Sequence, residues 1–135
     1  HYIKMYVPIL RLENVSLIID KNRELVGVGI ALPSMSKALI NGRGRMFPTG
    51  WLQYLKALKG RNNVVDLMLV AIKPEYQSKG VNALLFTDLI PYFIKNGYEY
   101  AESNPELEEN QKVQSQWQYF RTEQHKRRRA YIKDI

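Results

Sequence analysis

The 135-residue sequence has no cysteine, which excludes disulfides, thiolate metal sites and a cysteine nucleophile, and suits a reducing compartment. Its two histidines, His1 and His125, stand far apart, so neither a zinc site nor a histidine-based triad is expected. No apolar run approaches the roughly 18 residues that a spanning helix needs, and no charged-then-apolar leader opens the sequence. A cytoplasmic protein with no bound metal and no membrane partner is the expectation.

What is present is a 45% hydrophobic composition with a net charge of +7. A chain of this length buries one core, so a single domain is predicted. The positive charge favours anionic ligands, whether a nucleotide cofactor or nucleic acid. The opening HYIKMYVPIL reads as the middle of a fold, which predicts the C-terminal part of a longer protein, with a neighbouring domain or a second copy as a partner.

Two apolar runs, Val15 to Ile19 and Leu25 to Leu32, are joined by the polar turn DKNRE, and together they predict an antiparallel hairpin. Between Pro33 and Asn63, SMSKALI and WLQYLKALK read as short helices flanking the basic loop NGRGR and the turn MFPTG. Val64 to Ile72 is almost wholly apolar and reads as a strand buried on both faces, with Asp66, Met68, Val70 and Ile72 sharing one of them. After Gly80, Leu85, Phe86, Leu89, Ile90 and Phe93 recur at helical spacing until Asn96-Gly97 stops the helix. YEYAES follows as a strand. Asn104-Pro105 then looks like a helix start, with Glu106, Glu108 and Glu109 near the first turn, and this helix is expected to run to about Thr122. HKRRRAYIKDI closes the chain with weak alternation about Tyr131 and Ile132, read as an edge strand. The element order predicts an α/β (α+β) domain with a mixed sheet.

The loop between the Val64 to Ile72 strand and the following helix aims backbone N–H groups and the positive end of a helix dipole at its occupant, which suits a phosphate. Gly80 allows close approach, Ser78 to Asn82 present amides, and Lys79 adds charge. An ordinary strand-to-helix turn is the plainer alternative. The stretch from Val70 to Ala83 resembles the acyl-CoA binding motif of the GNAT superfamily of N-acyltransferases. There a strand ends, a proline follows, and Gln/Arg-x-x-Gly-x-Gly/Ala enters a helix; the matching residues are Pro74, Gln77 and Gly80, with Asn82 where the family has a smaller residue.

The resemblance implies a GNAT-like fold, a mixed and mainly antiparallel central sheet flanked by helices, that binds acetyl-CoA or another acyl-CoA and passes the acyl group to an amine acceptor it does not identify. It implies cofactor contacts at Val70, Ala71, Ile72, Gln77, Ser78, Lys79, Gly80, Val81 and Asn82. On the expected helix, Asn110 falls on the stripe of Leu107, Val113, Trp117 and Phe120, and the family has an asparagine there near the pantetheine arm; an amide satisfied by its own backbone is the competing reading. Trp117, a further cofactor contact that the resemblance implies, stands where the family often has a tyrosine acid, and an indole N–H cannot protonate a thiolate. Tyr119 faces another way on a helix. Asp66 and Glu102 are the candidate bases, each balanced against a solvent-edge carboxylate. A catalytically silent coenzyme A module and a basic nucleic-acid binder are the alternatives, and nucleic acid ranks last because no binding module surrounds HKRRR or NGRGR.

Overall fold

The Asp20–Glu24 turn sets up the first part of the fold. Asp20 Oδ1 accepts from the backbone N–H of Asn22 at 2.8 Å and of Glu24 at 2.9 Å, the self-bonding for which aspartate is favoured at turns. Arg23 takes a left-handed φ of 65° within it. The turn joins β1, Val15–Ile19, to β2, Leu25–Pro33, in antiparallel register with Ser16 opposite Gly29 and Leu17 opposite Val28. Two short helices follow, α1 at Ser36–Asn41 and α2 at Gly50–Lys59, and then β3, Val64–Ile72. These elements lie where the sequence pattern puts them.

The computed structural model describes residues 7, 10–60 and 62–133, and a break in packing between Glu102 and Ser103 divides them into two units. In the first, the sheet runs β1-β2-β3-β4, with β4 at Tyr100–Ser103. Helix α3, Val81–Lys95, connects β3 to β4 and buries Leu85, Phe86, Leu89 and Phe93. It ends on Gly97, whose φ is 79°, with Tyr98 N–H donating to Phe93 O at 3.0 Å, a glycine C-cap closed by the bond that satisfies a late helix carbonyl. Gly29 on β2 lets the helix approach. A Cβ there would lie 3.3 Å from Leu89 Cδ1 and 3.6 Å from Leu85 Cβ, so the helix packs directly on bare backbone.

β3 departs from the expected strand in two ways. Val65 and Leu67 are buried, but Met68, Leu69 and Val70 are exposed. The nine residues of β3 outrun the four of β4, whose start is tied to the start of β3 by Glu99 and Tyr100 N–H donating to Asn63 O, so the far half of β3 has less to pack against. The second departure is a bulge. Ile30 pairs with Leu69 and Ala31 with Leu67, leaving Met68 as an extra residue. A bulge shifts the alternation by one position: Asp66 stands opposite Leu32 and Val70 opposite Gly29, so Asp66 and Val70 lie on opposite faces rather than sharing one.

The second unit corrects two further expectations. The helix predicted from Pro105 is only α4, Gln111–Gln114, followed by a 3-10 turn over Ser115–Tyr119. Leu107, first residue of the expected apolar stripe, is 76% exposed. A short helix is marginal unless an apolar face is buried, and this stripe buries little. Asn110 rather than Asn104 caps it, its side chain accepting from Val113 N–H at 3.3 Å. The terminal edge strand is absent among the described residues: Tyr131 and Ile132 have no regular structure and are exposed. His1 and the HYIKMY opening lie outside the described residues.

Candidate functional site

The segment Lys73–Gly80 links the end of β3 to the start of α3, and its position is fixed from several sides. Lys73 N–H donates to Val26 O at 2.9 Å, carrying the ladder one rung past the strand. A 3-10 turn at Pro74–Tyr76 follows. Gln77 Nε2 donates to Ile72 O at 3.0 Å, so this expected cofactor contact also closes the loop on its own strand. Lys73 Nζ pairs with Glu24 Oε2 at 2.9 Å, and Tyr76 Oη donates to Asp20 Oδ2 at 3.1 Å. The loop is thus pegged to the β1–β2 turn, and Lys79 Nζ lies 5.7 Å from the centroid of the Tyr76 ring, in cation–π range.

The protonation states of these groups follow from their partners. The bond from Glu24 N–H holds the Asp20 carboxyl below its ordinary value, and the Tyr76 hydroxyl adds to the effect against some desolvation. The bond to Glu24 raises the Lys73 ammonium above its ordinary value. The bond to Asp20 raises the Tyr76 phenol. At neutral pH the Asp20 carboxyl is ionised and the Lys73 ammonium and Tyr76 phenol keep their protons, the states that their contacts require.

Beyond Tyr76 the chain turns left-handed twice, at Ser78 with φ 60° and at Gly80 with φ 73°. Gly80 is the N-cap of α3, no side chain caps the helix, and Ala83 N–H returns to Gly80 O at 3.0 Å. The opening amides of a helix point along its axis with the positive dipole end. A Cβ on Gly80 would meet nothing within 4 Å, so the space beside Gly80 is open. This makes the loop a candidate anion site, with helix amides ahead, open space beside Gly80 and Lys79 as the preceding residue.

The other expected residues are distributed as follows. Val70 and Ala71 are exposed and Ile72 half-buried at the end of β3, while Val81 and Asn82 are half-buried in the first turn of α3. Asp66 is half-buried on the sheet face away from α3, and Glu102 is half-buried on β4. Asn110 and Trp117 belong to the second unit. There Asn110 is an exposed cap, satisfied by its own backbone rather than turned to a core, and Trp117 Nε1 donates to both oxygens of the Glu106 carboxylate at 2.8 and 3.0 Å. Arg127 of the basic run pairs with Glu108 at 3.0 Å.

Sequence reasoning missed the four pegs, Asp20, Glu24, Lys73 and Tyr76. Asp20 at the head of DKNRE signals a turn, but nothing local marks its bond to a tyrosine 56 positions away. At the other end of α3 an open depression of about 530 Å³ is lined by Asn62, Asn63, Lys95, Asn96, Gly97 and Glu99. Its amides serve the chain itself, since Asn62 Nδ2 donates to Ser34 O and Asn63 Nδ2 to Glu99 Oε2. Among the described residues no group of three or more His, Cys, Asp or Glu is placed to hold a metal ion, and no helix is long and apolar enough to cross a membrane.

No family model and no curated protein matches the sequence. Solved structures do match the fold. The aminoglycoside acetyltransferase AAC(6')-Iy, in complex with a bisubstrate analogue built on coenzyme A, is 18% identical over 90% of this chain and 69% of its own, with a TM-score of 0.57. The 6'-N-acetyltransferase AAC(6')-IG from Acinetobacter haemolyticus is 12% identical over 99% of this chain and 80% of its own, with a TM-score of 0.59. An aminoglycoside acetyltransferase from an uncultured soil sample, in complex with sisomicin, is 11% identical over 90% and 65%, with a TM-score of 0.56. The chain has the fold of these enzymes, the GNAT fold, as the resemblance around Gly80 implies.

Proposed function

We propose that the chain binds an acyl-CoA, acetyl-CoA in the first instance, and transfers the acyl group to an amine in the cytoplasm. The observation that carries this reading is the start of α3: an uncapped helix terminus behind two left-handed residues, with open space at Gly80 and a loop pegged from behind. This arrangement supports binding of a pyrophosphate by backbone amides. The GNAT fold agrees with it, and one neighbour, AAC(6')-Iy, solved both with coenzyme A and with a bisubstrate analogue built on it, supports the same ligand class.

The amine nitrogen attacks the thioester carbonyl, a C–N bond forms, the C–S bond breaks, and the thiolate leaves to take up a proton. The chain's share is to hold the thioester along the exposed end of β3 and to polarise its carbonyl with a backbone N–H near Val70 to Ile72. Asp66 or Glu102 takes the proton from the amine, directly or through water. The thiolate is a tolerable leaving group without an acid, since thiols ionise near pH 8.5; this suits Trp117, whose N–H is occupied by Glu106. The same occupied indole favours a second reading, a catalytically silent coenzyme A module. Calorimetric titration with acetyl-CoA, coenzyme A and a short RNA tests the binding, and thiol release across a panel of amines separates the readings. Saturable coenzyme A binding with no thiol release from any amine selects the silent module, and RNA binding without coenzyme A binding removes both.

A further inference from the structure

The segment α1–α2 carries an exposed surface to which the proposed reaction assigns no step. From Leu25 to Val65 the sequence has no aspartate or glutamate, yet it holds Lys37, Arg43, Arg45, Lys56, Lys59 and Arg61. On α2 the exposed positions are Trp51, Leu52, Leu55, Lys56 and Lys59, which fall within one sector of the helix, while Gln53, Tyr54, Ala57 and Leu58 are half-buried. A solvated face would be polar; this one is apolar with two lysines. The preceding turn extends the surface, with Phe47 76% and Met46 54% exposed. It is tied to the helix by Trp51 N–H donating to Met46 O at 2.8 Å and Trp51 Nε1 donating to Pro48 O at 3.0 Å. On α1, which packs against α2, Ile40 is 74% exposed.

We infer that this face docks on an anionic lipid bilayer, with α2 lying in the headgroup layer. Aliphatic and aromatic side chains interspersed with lysines suit that layer, where the lysine stems lie among apolar groups and their ammonium groups reach the phosphates. No acid within the segment opposes an anionic surface. The Trp51 indole donor is already satisfied by Pro48, so its insertion strands no hydrogen bond. Nucleic acid would engage the cations and stack on the aromatics but offers little to Ile40, Leu52 and Leu55. The centre of a protein interface is depleted in lysine. The expectation of no membrane partner rests on the lack of a spanning run, which leaves surface contact open; α2, at 10 residues, is too short to span.

The test is flotation of the whole chain with phosphatidylcholine vesicles, with and without phosphatidylglycerol, together with Trp51 emission in a Trp117→Phe background. The docking inference expects binding to the phosphatidylglycerol vesicles alone, a blue shift of Trp51, and loss of both on adding salt. Lys56→Gln with Lys59→Gln should weaken binding about 25-fold, since each surface lysine contributes about fivefold. Leu52→Ser with Leu55→Ser keeps the charge and should abolish binding and the blue shift. Failure of the intact chain to float with anionic vesicles overturns the inference, as does binding that survives the serine pair. A dimer in solution, or RNA retention without flotation, that the serine pair removes assigns the face elsewhere and overturns it too. Should the serine pair not fold, the lysine pair, altered only at exposed charges, decides.

Discussion

The hydroxyl of Tyr76 donates to Asp20 Oδ2 at 3.1 Å, joining the loop before α3 to a turn 56 residues earlier. The same carboxylate accepts from Asn22 and Glu24 N–H through its other oxygen, so one aspartate shapes the hairpin turn and holds the candidate ligand loop against it. The loop is therefore ordered before a ligand arrives, which lowers the entropic cost of binding.

If this peg orders the loop, Tyr76→Phe and Asp20→Asn will each weaken coenzyme A binding, and the double variant will be no weaker than the worse single. Calorimetry on the four proteins of the cycle measures this. Additive losses would mean that the two residues act separately.

The peg also has a defined pH window. The Asp20 carboxyl is held below its ordinary value of 3.8, so its contribution is complete above that value and disappears as pH falls through the lowered one. The Lys73 ammonium and Tyr76 phenol are raised above 10.5 and 10.0, so their contributions persist below those values and disappear as pH rises past the raised ones. Between these limits the loop is expected to be insensitive to pH. The Glu24 amide resonance, followed by NMR, should hold steady between these limits and move as pH falls through the lowered Asp20 value, and Asp20→Asn should reduce that acid-side movement.

Gly80 is expected to be needed for its left-handed backbone and for the open space beside it that a side chain would take from the ligand. Its φ is 73° and a Cβ would meet nothing within 4 Å, so valine suffers only the left-handed penalty, about 1–2 kcal/mol, whereas asparagine tolerates the region better. Gly80→Val should lose coenzyme A binding in a folded protein while Gly80→Asn retains part of it. Equal binding by parent and valine variant would remove the loop from the site.

The helix–sheet contact should dominate stability. Leu85 is fully buried against Gly29, and Leu85→Ala is expected to cost about 2–5 kcal/mol in urea unfolding. Gly29→Val pushes side-chain bulk into Leu89 and should cost about 1–3 kcal/mol by overpacking.

For the chemistry, Asp66→Asn and Glu102→Gln separate the two candidate bases by thiol release once an acceptor is found. The larger loss, with a shifted pH–rate profile, identifies the base. Tyr119→Phe should change the rate little, because Tyr119 is 81% exposed; a large loss there with none at either carboxylate would reverse the assignment.

The elements of the first unit were legible from local pattern because each encodes itself: alternating or continuous apolar runs for β1, β2 and β3, a 3.6-residue stripe from Leu85 to Phe93, and Gly97 to end the helix. The strand, proline, Gln77 and Gly80 likewise mark the strand-to-helix loop proposed as the ligand site. The helix from Pro105 was overestimated, because local caps and a stripe holding Leu107 cannot form a long helix without a surface to bury it. What lies between strands was decided only by the tertiary structure. The Met68 bulge reverses which face Asp66 occupies through pairing with β2, and the bond from Tyr76 to Asp20 depends on bringing residues 56 apart together. Local sequence carries the period of an element, whereas register and long-range hydrogen bonds are settled only when the elements pack.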